Sequence, residues 1–133
     1  MRKRRFGRIV NITSAMVKSP RPVMGLSTAA RAGLTAFCKS LSLDVAVDNV
    51  TINNLLPERF DTDRQKFMAE QMMAKDAITF DEARKRIAGS IAAKRFGMPH
   101  EFGDACAFLC GDQASFISGQ NLQLDGGSYP GLI

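Results

Sequence analysis

Two serines and an arginine pose the first chemical question. The apolar run Gly7-Arg8-Ile9-Val10-Asn11-Ile12-Thr13 ends at Ser14, and Ser27 follows thirteen residues later, with Arg31 one helical turn beyond it. A serine hydroxyl at the end of a buried strand can orient a polar ligand, or simply cap the loop that follows. Acid–base work asks for more, namely a group that exchanges a proton near the working pH. Serine is a far weaker acid than tyrosine, whose reference pKa is about 10. Arg31 offers a permanent positive charge for hydroxyls or anions, but a guanidinium does not deprotonate and cannot relay a proton. The one tyrosine, Tyr129, stands near the C-terminus, far in sequence from this group.

A second polar stretch, Pro57-Glu58-Arg59-Phe60-Asp61-Thr62-Asp63, reads as a loop that stops a strand and starts a helix, with Asp61 or Thr62 as N-cap. The three cysteines are Cys38, Cys106 and Cys110, and His100 is the one histidine. Zinc asks for four Cys/His ligands at tighter spacings, so the expectation is no metal site and reduced thiols.

The elements that must position these residues follow from periodicity. Residues 7–13 are short, β-branched and apolar, as in a buried parallel strand. Pro20, Pro22 and Gly25 mark a loop, and from about Ser27 to Val47 the pattern turns helical. There Ala30, Leu34, Phe37, Leu41 and Val45 make one apolar stripe, and Ser27 is a plausible N-cap. Asp48-Asn49 signals a turn, Val50 to Leu56 a second strand stopped by Pro57. Residues 61–94 are charged and methionine-rich, which suggests one or two amphipathic helices with an adaptable apolar surface, a lid-like segment. Pro99 suits the first turn of a helix that stops at Gly111, and Gln120 to Asp125 alternates like a third strand before Gly126-Gly127. Strand, helix, strand, helices, strand implies right-handed βαβ units and a parallel sheet, in one domain over 1–133.

Composition bounds the function classes. Of 133 residues, 45% are hydrophobic and 23% charged, as in an ordinary globular chain. No apolar run approaches the length of a membrane span. The net charge of +5 comes entirely from Arg2, Lys3, Arg4, Arg5 and Arg8, because the basic and acidic residues of the remainder balance. Such an arm binds phosphate backbones non-specifically, yet it also reads as the solvated end of a surface helix leading into a strand. With no Trp and one Tyr, stacking platforms for nucleic acid are sparse. A cytoplasmic protein that binds neither membrane nor nucleic acid is expected.

Four blocks together resemble the C-terminal half of a short-chain dehydrogenase/reductase, of the 3-oxoacyl-acyl carrier protein reductase kind. Gly7 to Ser14 looks like the strand that delivers that family's catalytic serine. Ser27 to Leu41 is similar to the helix that carries Tyr-x-x-x-Lys, with Ser27 at the tyrosine position and Arg31 at the lysine position. Val50 to Asp63 looks like the strand and loop that cover the nicotinamide, and Ser118-Gly119-Gln120 with Asp125-Gly126-Gly127 matches the closing strand.

The resemblance implies an α/β fold, the C-terminal part of a Rossmann-type doubly wound parallel sheet with three strands and flanking helices. It implies NAD or NADP as cofactor of the full-length family, and hydride transfer to or from a carbonyl or alcohol substrate. It places Ser14, Ser27 and Arg31 at the catalytic positions and Arg31, Pro57, Phe60 and Thr62 at the cofactor. Glu58 replaces a glycine of the nicotinamide loop, and no glycine-rich phosphate loop follows a strand. The family's first half is absent, so residues 8–13 are expected to form an exposed edge, and the helix at 27–47 to meet a partner subunit in a homo-oligomer. Loss of tyrosine, lysine and phosphate loop together points to inactivity of the chain alone. The alternative is a non-catalytic member that acts by association.

Overall fold

The computed structural model describes residues 1–132. Three strands, β1 (Gly7–Ile12), β2 (Val50–Pro57) and β3 (Asn121–Leu124), form one parallel sheet in the order β1-β2-β3. Helix α1 (Gly25–Val45) connects β1 to β2, and α2 (Asp63–Asp76), α3 (Phe80–Gly89) and α4 (Pro99–Cys110) connect β2 to β3. This is the expected partial doubly wound sheet. Parallel neighbours need crossovers of a dozen or more residues, which the helices supply.

Period-2 alternation distributes the strand side chains over two cores. Val50 and Ile52 pack with Cys38 and Val45 of α1, joined by Ile9 and Leu41. Leu55 packs on the opposite face with Leu109 of α4 and Ala114, joined by Val10, Phe102 and Leu124. The central strand β2 is buried along its whole length except at Pro57.

One feature escaped the sequence reading. Asn11, Asn54 and Asn121 lie in register on adjacent strands. The Asn11 amide donates to Asn54 Oδ1 at 3.0 Å, and the Asn54 amide donates to Asn121 Oδ1 at 2.8 Å. The Asn11 amide also lies 3.2 Å from Cys38 Sγ. This polar ladder runs across the sheet beneath α1 and fixes the register of all three strands, since a one-residue slip would turn every asparagine to the other face.

Several boundaries and faces differ from expectation. Helix α1 starts at Gly25, not Ser27, because a 3-10 turn at Pro22–Met24 runs straight into it; Met24 is the N-cap and Ser27 lies inside the first turn. The expected apolar stripe is mostly not core: Leu34 and Phe37 are exposed, and the buried line of the helix is Cys38, Ser42 and Val45. The methionine-rich segment builds a third cluster of its own, with Ala69, Ala83, Ile87, Ile91 and Phe96 at its centre and Met68 and Met72 packed against it. The basic N-terminal residues form a 3-10 turn at Arg2–Arg4 rather than a free arm. Arg2 reaches Asp48 at 2.6 Å and Asp44 at 3.1 Å, and Arg5 donates to the carbonyl of Val47 at 2.7 Å. The expected edge is present: among the described residues β1 has no strand on its outer side, and Ile12 is exposed.

The ladder makes a prediction. Asn54→Leu leaves Asn121 Oδ1 and one donor of Asn11 without their partner in a half-buried setting. Urea unfolding followed by circular dichroism is expected to show a loss of about 1–3 kcal/mol; an unchanged midpoint contradicts the assignment.

Candidate functional site

Two walls rise from the C-terminal ends of β1 and β2, the place where open parallel sheets bind ligands. The first holds Ser14, Ser27 and Arg31, none of which lines the apolar cavity of the second. Thr13 continues the sheet, its amide donating to the carbonyl of Leu55 at 2.9 Å. Its own carbonyl accepts from Arg31 Nε at 3.3 Å. Arg31 also donates through one terminal nitrogen to the backbone oxygen of Ser27 at 3.3 Å and to the Ser27 hydroxyl. The guanidinium therefore ties α1 to the end of β1 and holds Ser27 beside the residue before Ser14. Its second terminal nitrogen makes no hydrogen bond among the described residues.

Ser14 has a local duty as well. Its hydroxyl accepts from the amide of Met16 at 3.2 Å and caps the 3-10 turn at Ala15–Val17. The hydroxyl proton remains free to donate to a ligand. Ser27, freed from helix capping, is engaged by Arg31 instead.

The second wall is apolar. Pro57, Phe60 and Thr62 converge with Ile12, Pro99 and Phe102 around a cavity of ≈ 240 Å³. Phe60 meets Phe102 edge to face with ring centres 5.6 Å apart, so α4 braces the loop. The loop is further held by the amide of Asp61 donating to the carbonyl of Gly97 at 2.8 Å, and that of Gly97 donating to the carbonyl of Arg59 at 3.1 Å. Thr62 is the N-cap of α2, though its side chain makes no capping bond. Sequence reasoning named the three loop residues; Ile12, Pro99 and Phe102, which complete the cavity, it did not, because nothing in the local pattern joins residues so far apart in the chain.

Glu58 proves compatible with its place. Its amide donates to the carbonyl of Leu124 at 2.9 Å, in continuation of the β2–β3 ladder. The left-handed backbone falls on the next residue, Arg59, at φ 61. Glu58 therefore needs no glycine-like conformation, and its carboxylate meets Arg21 at 2.6 Å.

The start of α4 is set by charge. Glu101 accepts from the amide of Met98 at 2.7 Å and forms a two-pronged pair with Arg95 at 2.6 and 2.8 Å. The Arg95 hydrogen bond first, then the Met98 amide, hold the Glu101 carboxyl down to about 2. Because α4 supplies Pro99 and Phe102 to the cavity, this pair helps to fix its floor.

A fold of this connectivity with a cavity at the ends of its first two strands belongs to the short-chain dehydrogenase/reductases: residues 1–129 match the family described as enoyl-(acyl carrier protein) reductase, and the chain belongs to it. The chain is 37% identical over 132 residues to the NADPH-dependent reductase BacG of Bacillus subtilis (strain 168), covering 99% of this chain and 51% of that protein. It is 35% identical to the 3-oxoacyl-[acyl-carrier-protein] reductase FabG of Rickettsia felis, covering 96% and 48%. Among solved structures it superposes on YwfH, an NADPH-dependent reductase involved in bacilysin biosynthesis, with TM-score 0.90 at 34% identity, covering 98% of this chain and 50% of that one. The chain spans about half the length of the curated relatives it matches. Among the described residues, no helix is long and apolar enough to cross a membrane.

The Glu101 pair predicts a pH response. A carboxyl whose folded pKa lies below its ordinary value of 4.5 contributes stability that is complete above that value and is lost as pH falls from 4.5 towards about 2. NMR titration of the Glu101 carboxyl is expected to place its midpoint near 2, and Glu101→Gln should flatten the acid limb of stability in that window. A midpoint near 4.5 contradicts the pairing.

Proposed function

We propose that this chain forms the nicotinamide-facing half of an NAD(P)-dependent oxidoreductase that moves a hydride to or from a small carbonyl or alcohol. The observation that carries this reading is the cavity lined by Ile12, Pro57, Phe60 and Thr62 at the ends of two parallel strands. A flat, partly aromatic ring suits such a wall, with the Thr62 hydroxyl at its rim for a carboxamide. Arg31 would hold ribose hydroxyls through its unused nitrogen, and Ser14 would donate to the substrate oxygen.

Catalysis by the chain alone is not expected. The step needs a proton at the substrate oxygen as the hydride arrives or leaves. Ser27 is a poor acid and already engaged by Arg31, and Arg31 does not give up its proton. Residues 61–94, with α2 and α3 on their own apolar cluster, would act as a lid beside the cavity, in a single cytoplasmic domain.

A second reading is favoured by a separate observation. Helix α1 exposes Leu26, Ala30, Leu34 and Phe37 along one side, with Phe37 63% exposed. An apolar face of this kind marks an interaction surface. We propose that it meets a second copy, so that the protein is a homo-oligomer whether or not it catalyses.

Two outcomes are expected. Titration with NADPH or NADH, followed by nicotinamide fluorescence, should saturate, and Phe60→Ala should weaken it about twofold to tenfold, since an aromatic contact is worth about 0.5–1.5 kcal/mol. Absence of binding at millimolar concentrations contradicts the cofactor reading. In light scattering, Phe37→Glu should lower the mass to that of one chain while leaving the helix content unchanged; an unaltered mass removes α1 as the interface.

A further inference from the structure

A second cavity, of ≈ 260 Å³, lies on the other side of the Glu58–Arg59 corner, lined among others by Ser19, Arg21, Glu58, Arg59, Gln123 and Tyr129. It is polar where the nicotinamide-facing cavity is apolar. Part of its lining comes from the loops that continue from Ser14 and Pro57 at the ends of β1 and β2.

Its charges do not balance. Two guanidinium groups share one carboxylate: Glu58 lies 2.6 Å from Arg21 but 3.8 Å from Arg59. At that longer distance the Arg59 guanidinium has an ion pair and no hydrogen bond to any described residue. Its side chain is only 19% exposed. Its donors are left to solvent or a ligand, and burial lowers its pKa despite the neighbouring carboxylate. The chain also holds Arg59 at φ 61, in the left-handed region, and its side chain lines the cavity. Lys18 adds positive charge at the rim, its ammonium 5.5 Å from the centre of the Tyr129 ring. Glu58 in turn repels a doubly charged anion more than a singly charged one, and a planar carboxylate matches the fork of a guanidinium.

We infer that this cavity is a carboxylate subsite, in which Arg59 receives the carboxylate of a small organic acid. Taken with the proposed oxidoreductase function, on which this extension rests, the substrate class is a carbonyl or hydroxy compound that also bears a carboxylate. Arg59 is then a specificity-determining residue, and Glu58 a competitor that a ligand must outbid.

The test compares ligands that differ only in charge, by NMR titration of the full chain with phenylacetate, phenylacetamide and inorganic phosphate. Phenylacetate is expected to bind about tenfold more tightly than its amide, the scale of one charge-assisted hydrogen-bonded pair. Arg59→Gln should abolish that preference while NADPH binding is retained. Glu58→Gln should tighten phenylacetate several-fold, an effect that does not depend on the folding of the Arg59 variant. Equal affinity for acid and amide, tighter binding of phosphate than of phenylacetate, or a preference untouched by both substitutions overturns the proposal. Loss of NADPH binding with the carboxylate preference intact counts against the cofactor reading instead.

Discussion

The parallel register of β1 against β2 is the constraint on which everything at the candidate site depends. Ser14 and Ile12 hang from the end of one strand, Pro57, Phe60 and Thr62 from the end of the next, and a slip of one residue would separate them and invert both core faces. The register is held twice: by the apolar alternation that feeds two separate cores, and by the Asn11–Asn54–Asn121 ladder. Arg31 then transmits the position of β1 to α1 through the carbonyl of Thr13. The site is thus a consequence of the sheet, and its two walls differ in character because their strands end differently, one in serine and one in proline.

That difference sets a braced apolar wall beside a clamped polar one. The wall at Pro57 and Phe60 depends on shape and on bracing by Phe102, which are intact. The serine–arginine pair forms a clamp between α1 and the end of β1. Its hydrogen bonds favour structure over proton transfer, since Arg31 stays charged and spends most of its donors on Ser27 and Thr13.

Much of the frame was legible because it rests on local signals. The βαβ order, Pro99 at the start of α4, its stop at Gly111 and the three strands follow from periodicity and from proline and glycine placement. The face of α1 was misjudged because Leu34 and Phe37 share the helical period of a core stripe but look outward; the true inward line includes Cys38 and Ser42, whose types do not announce burial. Capping at Ser27 failed because the turn at Pro22–Met24 supplied an earlier helix start. The asparagine ladder and the Ile12–Phe102 closure join residues distant in sequence, which no local pattern reveals. The left-handed backbone falls at Arg59, one residue after the substituted glycine position, which no residue type there announces.

The central claim, that the end of β2 presents a nicotinamide-binding wall, is tested most directly by labelling the methyl of Ile12 and the ring of Phe60 and adding reduced nicotinamide mononucleotide. Saturable shifts at Ile12 and Phe60, absent when adenosine monophosphate is added instead, are the predicted result. Resonances that stay still at Ile12 and Phe60, or that respond equally to the adenine nucleotide, would show that this cavity does not recognise the nicotinamide end and would contradict the account.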